Sequence, residues 1–241
     1  MNDDLDQLLK NLKMGGIREI LERELARAQK TKPSYADFYA RLLREQYQLQ
    51  RQRSLEYRIK RANLPERWAL ETFPFEAQPS VPAATAKQLG ELDFVVKKEN
   101  IVFVGDTGTG KTGLASGLLL KALENGYRGL FVRAQDLFDE MYASLADRSS
   151  RKLLNRRMTV DVLLIDEMGY LNLRPEQTNL FFKLMEERYT RRSTIITTNI
   201  DYDDWYGFLG RKEMVGALLS RLRHHCHTLR IDGPSLRNPT G

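Results

Sequence analysis

The chain has 241 residues, a net charge of +6 and one cysteine, Cys226. This length allows one sizeable domain with a small appendage, and no apolar run approaches the roughly 20 residues that span a bilayer. The N-terminus is acidic and amphipathic, unlike a secretory signal. A single cysteine excludes an internal disulfide and is typical of a reducing compartment, so we expect a cytoplasmic protein with no membrane contact. The basic excess favours a polyanionic partner.

Residues 1–70 carry helical patterns. Leucine and isoleucine recur every three or four residues from position 5 to position 25, and Ser34 followed by Asp37 is typical of a helix start. The stretch 41–67 is basic, with tyrosines among its charges, and this pattern fits either a solvated helix face or nucleic-acid contact. We therefore predict a small all-helical N-terminal domain over residues 1–70.

Residues 71–84 are rich in proline and predict a linker, which leaves residues 85–241 for a second domain. In this domain short apolar segments alternate with helical stretches. The predicted strands are 101–105, 129–133, 161–166, 193–199 and 227–231. The predicted helices are 111–124, 134–146, 149–157, 175–189 and 213–223. This alternation predicts an α/β fold, with a parallel sheet covered by helices on both faces.

The segment GDTGTGKT matches the pattern G-x-x-x-x-G-K-[ST] between a predicted strand and a predicted helix. Its glycines let consecutive amide N–H groups converge on a phosphate, and the helix adds its free N–H groups and the positive end of its dipole. We predict that Lys111 reaches the β- and γ-phosphates of ATP and that the Thr112 hydroxyl binds Mg²⁺. The predicted nucleotide-binding residues are Gly105, Asp106, Thr107, Gly108, Thr109, Gly110, Lys111 and Thr112.

Two later strands end in polar side chains. The strand DVLLID ends in Asp166, followed by Glu167, and the strand STIITTN ends in Asn199. We predict that Asp166 holds Mg²⁺ together with Thr112, and that Glu167 orients and polarises the attacking water. Asn199 is expected to hydrogen-bond the γ-phosphate or that water. These motifs predict an ATPase with ATP and Mg²⁺ as cofactors.

In their order, the phosphate loop, the acidic strand and the asparagine strand resemble the AAA+ branch of P-loop ATPases. The segments ALLSRLRHHCHTLRIDGPSLR, FVRAQDLFDEMYASL and LPERWALETF are similar to those of IstB-type transposition helper ATPases, relatives of the DnaC/DnaI helicase loaders. The resemblance covers essentially the whole chain and is most specific over 100–237, although Ser220 stands where that family usually has Asp. It implies an AAA+ core.

The resemblance also implies that ATP lies at a subunit boundary, where a neighbour's arginine completes the site. Arg221 of the SRL motif matches that position, and a guanidinium there would stabilise charge on the γ-phosphate in the transition state. Arg223 is the alternative for this role, and Arg237 could be a second sensor that acts within its own chain. We accordingly expect a homo-oligomer that is assembled through ATP.

In the initiator and loader branch, the region between the second and third strands lines a DNA path. Here that region is LADRSSRKLLNRRM, which is basic. It predicts backbone contacts to DNA without sequence preference, although a solvated helix or a subunit contact would show the same composition. The predicted DNA-binding residues are Arg148, Arg151, Lys152, Arg156 and Arg157.

The sequence thus predicts a DNA-binding, oligomerising AAA+ ATPase that assists a transposase in DNA transposition, by binding target DNA and activating the transposase. One alternative is a replicative helicase loader, whose helicase-docking element would lie within residues 1–70. An alternative of another class is a nucleotide-gated DNA scaffold with little turnover.

Overall fold

The computed structural model describes residues 3–146, 148–169, 171–210 and 212–237. Contacts divide them into two compact units, one ending at Tyr57 and the other beginning at Arg58. None of the described helices is both long and apolar enough to cross a bilayer.

The first unit is helical, as predicted. It contains α1 (Asp3–Asn11), α2 (Gly15–Thr31) and most of α3 (Tyr35–Ala62). The Ser34 hydroxyl accepts the backbone N–H of Asp37 at 3.1 Å, which caps the first turn of α3. The apolar stripes bury a small core formed by Leu9, Ile17, Leu21 and Leu42.

The second unit is an α/β domain. Its strands are β1 (Asn100–Gly105), β2 (Gly129–Arg133), β3 (Val162–Met168), β4 (Ser193–Thr198) and β5 (Cys226–Ile231). Its helices are α4 (Ala83–Gly90), α5 (Asp93–Lys97), α6 (Lys111–Glu124), α7 (Ala134–Ala146), α8 (Ser150–Thr159), α9 (Pro175–Arg188), α10 (Trp205–Leu209) and α11 (Lys212–His224). In the described residues the strands form one parallel sheet in the order β2-β3-β4-β1-β5. The predicted α/β fold with a helical N-terminal region is confirmed.

The central strands β1, β3 and β4 are almost wholly buried because helices cover both faces of the sheet. In β1, Ile101 and Phe103 belong to one buried cluster and Val102 and Val104 to the other, as the alternation of side chains along a strand requires. Helix α6 contributes to the first cluster, and helices α7, α9 and α11 contribute to the second. Side chains on both faces of the central strands are therefore packed against helices.

Residues 71–84, for which we predicted a linker, lie in the second unit. They include the 3₁₀ helix Phe75–Ala77, and the side chains of Phe73 and Val81 are 7% and 2% exposed in the same cluster as Ile101. This packing differs from that of a flexible linker. The domain boundaries at residues 70 and 85 remain a prediction.

The topology places the carboxyl ends of three strands together. Strand β4 lies between β1 and β3, and all three run in the same direction. Polar residues that end these strands therefore meet at one edge of the sheet, where open α/β sheets bind ligands.

Candidate nucleotide site

The phosphate loop joins β1 to α6. Gly108 and Gly110 have φ angles of 88° and 92°, a left-handed conformation that glycine adopts without steric cost. A Cβ atom on Gly108 would lie 2.2 Å from Oγ of Ser235, so a side chain there would also collide. The hydroxyl of Thr109 donates to the carbonyl of Asp106 at 2.8 Å and closes the loop. Both glycines are thus required by the conformation as well as by the motif.

Lys111 begins α6, and its side chain turns back over the loop. Its Nζ donates to the carbonyl oxygens of Gly105 and Asp106, each at 2.6 Å. Burial lowers the pKa of Lys111 below its ordinary value, while the carboxylates of Asp106 and Asp166 oppose that shift. The ammonium therefore lies within the loop, where a phosphate could replace the carbonyls as its partner.

Asp166 lies at the end of β3 with only 3% of its surface exposed. Its Oδ1 accepts a hydrogen bond from the Thr112 hydroxyl at 2.9 Å. A carboxylate and a hydroxyl oxygen in contact beside a phosphate loop are the ligands that Mg²⁺ prefers, so the residues present fit that ion.

Glu167 follows with an exposed side chain and an unusual backbone. Its φ is 59°, which is left-handed, and holding a residue other than glycine in such a sparsely populated conformation costs about 1–3 kcal/mol. The pairing of β3 with β4 shifts register between Ile165 and Met168 around it. Strain of this kind is often found at functional sites, and it coincides here with the residue predicted to act on water.

Thr197 is a residue that the sequence analysis missed. Its side chain is 1% exposed; its hydroxyl donates to Oδ1 of Asp166 at 2.5 Å and accepts the backbone N–H of Glu167 at 2.9 Å. The available signal was its place in β4, two residues before Asn199. A threonine in an apolar strand is common, however, so the sequence alone gave no reason to select it.

Asn199, which we expected to end the strand, is exposed just beyond β4. A Cβ atom on Gly169 would lie 2.5 Å from its Oδ1, so this amide oxygen lies against the backbone two residues after Glu167. The structure therefore brings Lys111, Thr112 and Asp166 together, and it holds Asn199 beside the segment that follows Glu167.

The C-terminal segment also lies on the phosphate loop. The backbone N–H of Leu236 donates to the carbonyl of Gly108 at 2.8 Å. Arg237 is near enough for its charge to lower the pKa of Lys111, although burial is the larger cause. Arg237, which the sequence offered as a second sensor within its own chain, is thus near the phosphate loop of that chain.

Arg221 lies elsewhere. It is on α11, half exposed, and its guanidinium is 3.5 Å from a carboxylate oxygen of Glu186 on α9. It lines a groove together with Asn100 and Thr194, which lie at the amino ends of β1 and β4. The side chain of Asn100 also donates to the carbonyl of Leu222 at 3.5 Å. Arg221 is therefore at the opposite end of the sheet from the phosphate loop.

The structure separates the five predicted DNA-binding residues into two groups. Four of them are exposed. Arg148 lies just before α8, and the other three lie on it: Arg151, Lys152 and Arg156. Arg157 is 4% exposed, pairs with Glu140 on α7, and donates to the carbonyl of Leu153 at 3.3 Å. Its prediction as a DNA contact is wrong, because a buried and paired guanidinium cannot reach a phosphate of DNA.

Comparison with known proteins agrees with this geometry. The IstB-like ATP binding protein family matches residues 7–240. The ATP-binding protein of insertion sequence IS21 from Pseudomonas aeruginosa is 35% identical over 234 residues, which are 97% of this chain and 88% of that protein. The ATP-binding protein of insertion sequence IS5376 from Geobacillus stearothermophilus is 36% identical over 204 residues, 85% of this chain and 81% of that protein.

A solved structure of the DnaC helicase loader is similar in fold. It is 26% identical, with a TM-score of 0.53, over 68% of this chain and 96% of that one. The phosphate loop, the strand-end carboxylates and these similarities support one conclusion. The chain belongs to the IstB-like ATP-binding protein family and is a P-loop ATPase of the AAA+ type.

Proposed function

We propose that this ATPase binds DNA, assembles with copies of itself through ATP, and assists a transposase in DNA transposition. In this proposal Lys111 binds the β- and γ-phosphates, and Thr112 with Asp166 holds Mg²⁺. The ion would neutralise charge on the phosphates. Glu167 orients the attacking water, and Asn199 hydrogen-bonds that water or the γ-phosphate.

The position of Arg221 is the main support for the proposal that subunits assemble through ATP. Strand β1 runs from Asn100, beside Arg221, to Gly105 at the phosphate loop. At about 3.3 Å per residue these two positions are roughly 16 Å apart, which is beyond the reach of an arginine side chain. If Arg221 acts on a γ-phosphate, that phosphate is bound to another subunit.

The exposed basic residues of α8 support DNA binding. Arg151 and Lys152 lie in its first turn and Arg156 in its last, while Leu154 is buried against the domain. Their side chains can neutralise phosphates without reading bases, so binding should be independent of sequence and sensitive to salt.

The relatives from insertion sequences favour a transposase as the partner. The likeness to DnaC favours a second candidate, a helicase loader. In both cases ATP would join subunits on DNA and hydrolysis would release them. The two candidates differ in the protein that the assembled complex recruits.

The test is to assemble the full chain on duplex DNA with ATP and to add either the transposase of its own insertion sequence or a replicative helicase. We expect the transposase to bind only to the ATP-assembled complex, and Lys111→Ala to abolish this binding. Recruitment of the helicase alone would instead assign the loader function.

Single-turnover hydrolysis with and without DNA tests the enzymatic part. We expect complete turnover of bound ATP in the assembled complex. A complex that forms on DNA with ATP and leaves the ATP intact would be the nucleotide-gated scaffold.

A further inference from the structure

The hydroxyl of Thr197 makes two hydrogen bonds between β4 and β3. It donates to Asp166 and accepts from the backbone of Glu167, and the residue is 1% exposed. A hydroxyl has one hydrogen to donate, and here that hydrogen goes to a carboxylate. This side chain therefore connects the two acidic residues of the site.

The hydrogen bond from the backbone N–H of Glu167 to Thr197 takes the place of a backbone bond between the strands. In a regular parallel pair, backbone N–H groups find carbonyls on the neighbouring strand. The register of β3 on β4 shifts between Ile165 and Met168, and within that shift the N–H of Glu167 is bonded to a side chain. The left-handed φ of Glu167 occurs at this same position.

The hydrogen bond from Thr197 to Asp166 fixes the position of that carboxylate. Oδ1 of Asp166 accepts hydrogen bonds from both Thr197 and Thr112, so its position is set from β4 on one side and from α6 on the other. Outer hydrogen bonds of this kind orient the carboxylates that bind metal ions.

We propose that Thr197 is a positioning residue for hydrolysis: its hydroxyl holds the backbone of Glu167 and the carboxylate of Asp166 in the arrangement that the reaction requires. This inference rests on the proposed role of Glu167 in orienting water. Because Asn199 directly follows the end of β4, two residues after Thr197, this one strand positions both the amide and the acidic pair.

The test uses Thr197→Val, which keeps the shape of the side chain and removes both hydrogen bonds. On the assembled complex we expect kcat to fall about 10- to 100-fold, the usual effect of losing an outer-shell partner. The affinity for ATP without turnover should change little, because the phosphate loop is untouched. Thr197→Ser should restore kcat, since it restores the hydroxyl.

Thr198→Val is the matched control. Thr198 is equally buried on the same strand, but within the described part of the chain its hydroxyl bonds only to the backbone of Ile200. We expect it to keep kcat near the wild-type value. Hydrogen exchange gives a readout apart from activity: the amide of Glu167 should exchange faster in Thr197→Val and normally in Thr198→Val. If the valine variant does not fold, Thr197→Ala is measured in the same way.

Wild-type kcat in Thr197→Val, or an equal loss in Thr198→Val, would overturn the inference. An unchanged exchange rate at Glu167 would do the same. Failure of the underlying proposal is separate, because it would appear as full hydrolysis by Glu167→Gln. A loss in Glu167→Gln with no loss in Thr197→Val would reject the role of Thr197 alone.

Discussion

The two ends of the parallel sheet carry different parts of the predicted reaction centre. At the carboxyl ends, Thr112 and Asp166 are already joined by a hydrogen bond, and Thr197 joins Asp166 to Glu167. At the amino ends, Arg221 is half exposed and meets only the exposed carboxylate of Glu186 among the ion pairs of the described residues. One end is arranged in advance within a single chain, and the other presents a cation to solvent.

This difference indicates where the proposed assembly would control the reaction. A single subunit holds the groups that bind ATP, but its own Arg221 lies too far away to act on that ATP. An exposed ion pair such as the one with Glu186 contributes little, about 0–1 kcal/mol, so another anion could displace it readily. Binding should therefore be a property of one subunit, and rapid hydrolysis a property of two.

The largest effect is expected from Arg221→Ala. Hydrolysis should fall about 10³- to 10⁵-fold, the range known for arginines that stabilise the transferred phosphoryl group. ATP affinity of the isolated subunit should stay near the wild-type value. Single-turnover hydrolysis and binding of a fluorescent ATP analogue measure the two effects.

Arg223→Ala is the control for this variant. Arg223 lies on the same helix, with its guanidinium 5.2 Å from the centre of the Tyr202 ring. We expect it to retain hydrolysis. If Arg223→Ala loses hydrolysis and Arg221→Ala keeps it, Arg223 is the arginine that completes the neighbour's site.

Glu167→Gln should have the next largest effect. It keeps the size of the side chain and loses its base, so hydrolysis should fall about 10²- to 10⁴-fold while ATP stays bound. The assembled complex should persist, which sedimentation can measure. Glu186→Gln, at the other end of the sheet, is a control that should bind and hydrolyse ATP. Normal steady-state hydrolysis by Glu167→Gln would exclude the role given to Glu167.

A smaller effect is expected when Arg151 and Lys152 are both replaced by Ala. Log affinity for duplex DNA falls with log salt by about 0.9 per phosphate neutralised, so the slope should flatten by about 2 if both residues contact phosphates. Replacing the exposed Lys87 and Lys97 is a control for the loss of two charges. An unchanged slope combined with failed assembly would make α8 a subunit contact.

The smallest effect on DNA binding is expected from Arg157→Met. The salt slope should be unchanged, because this guanidinium is buried against Glu140. The free energy of unfolding should fall by about 1–3 kcal/mol, since hydrogen bonds to a charged group are lost. Denaturant unfolding and DNA titration measure the two quantities. A flatter salt slope in this variant would show that Arg157 does contact DNA phosphates.

Local patterns predicted much of this structure. The helix after the phosphate loop was predicted over residues 111–124, and α6 spans Lys111–Glu124. Its signals lie within one stretch of chain: glycines, an apolar strand before them and a helical pattern after them. The short helices α4 and α5 were not predicted. Prolines before α4 mark its start as loop, and neither helix is long enough to show a clear period.

Features that depend on distant residues were not predictable in the same way. The bonds of Thr197 arise from the pairing of two strands that are thirty residues apart in the chain. Arg157 is buried in the same way, because it pairs with Glu140 on α7, seventeen residues earlier in the chain.

The most direct test of a shared site is to mix Lys111→Ala with Arg221→Ala. Each variant alone should lack hydrolysis, because one cannot bind ATP and the other cannot complete a neighbour's site. Where the two meet, an intact phosphate loop faces an intact Arg221, so a random equimolar mixture should recover up to about a quarter of the wild-type rate. No recovery at any ratio would contradict the account and assign Arg221 to a role within its own chain.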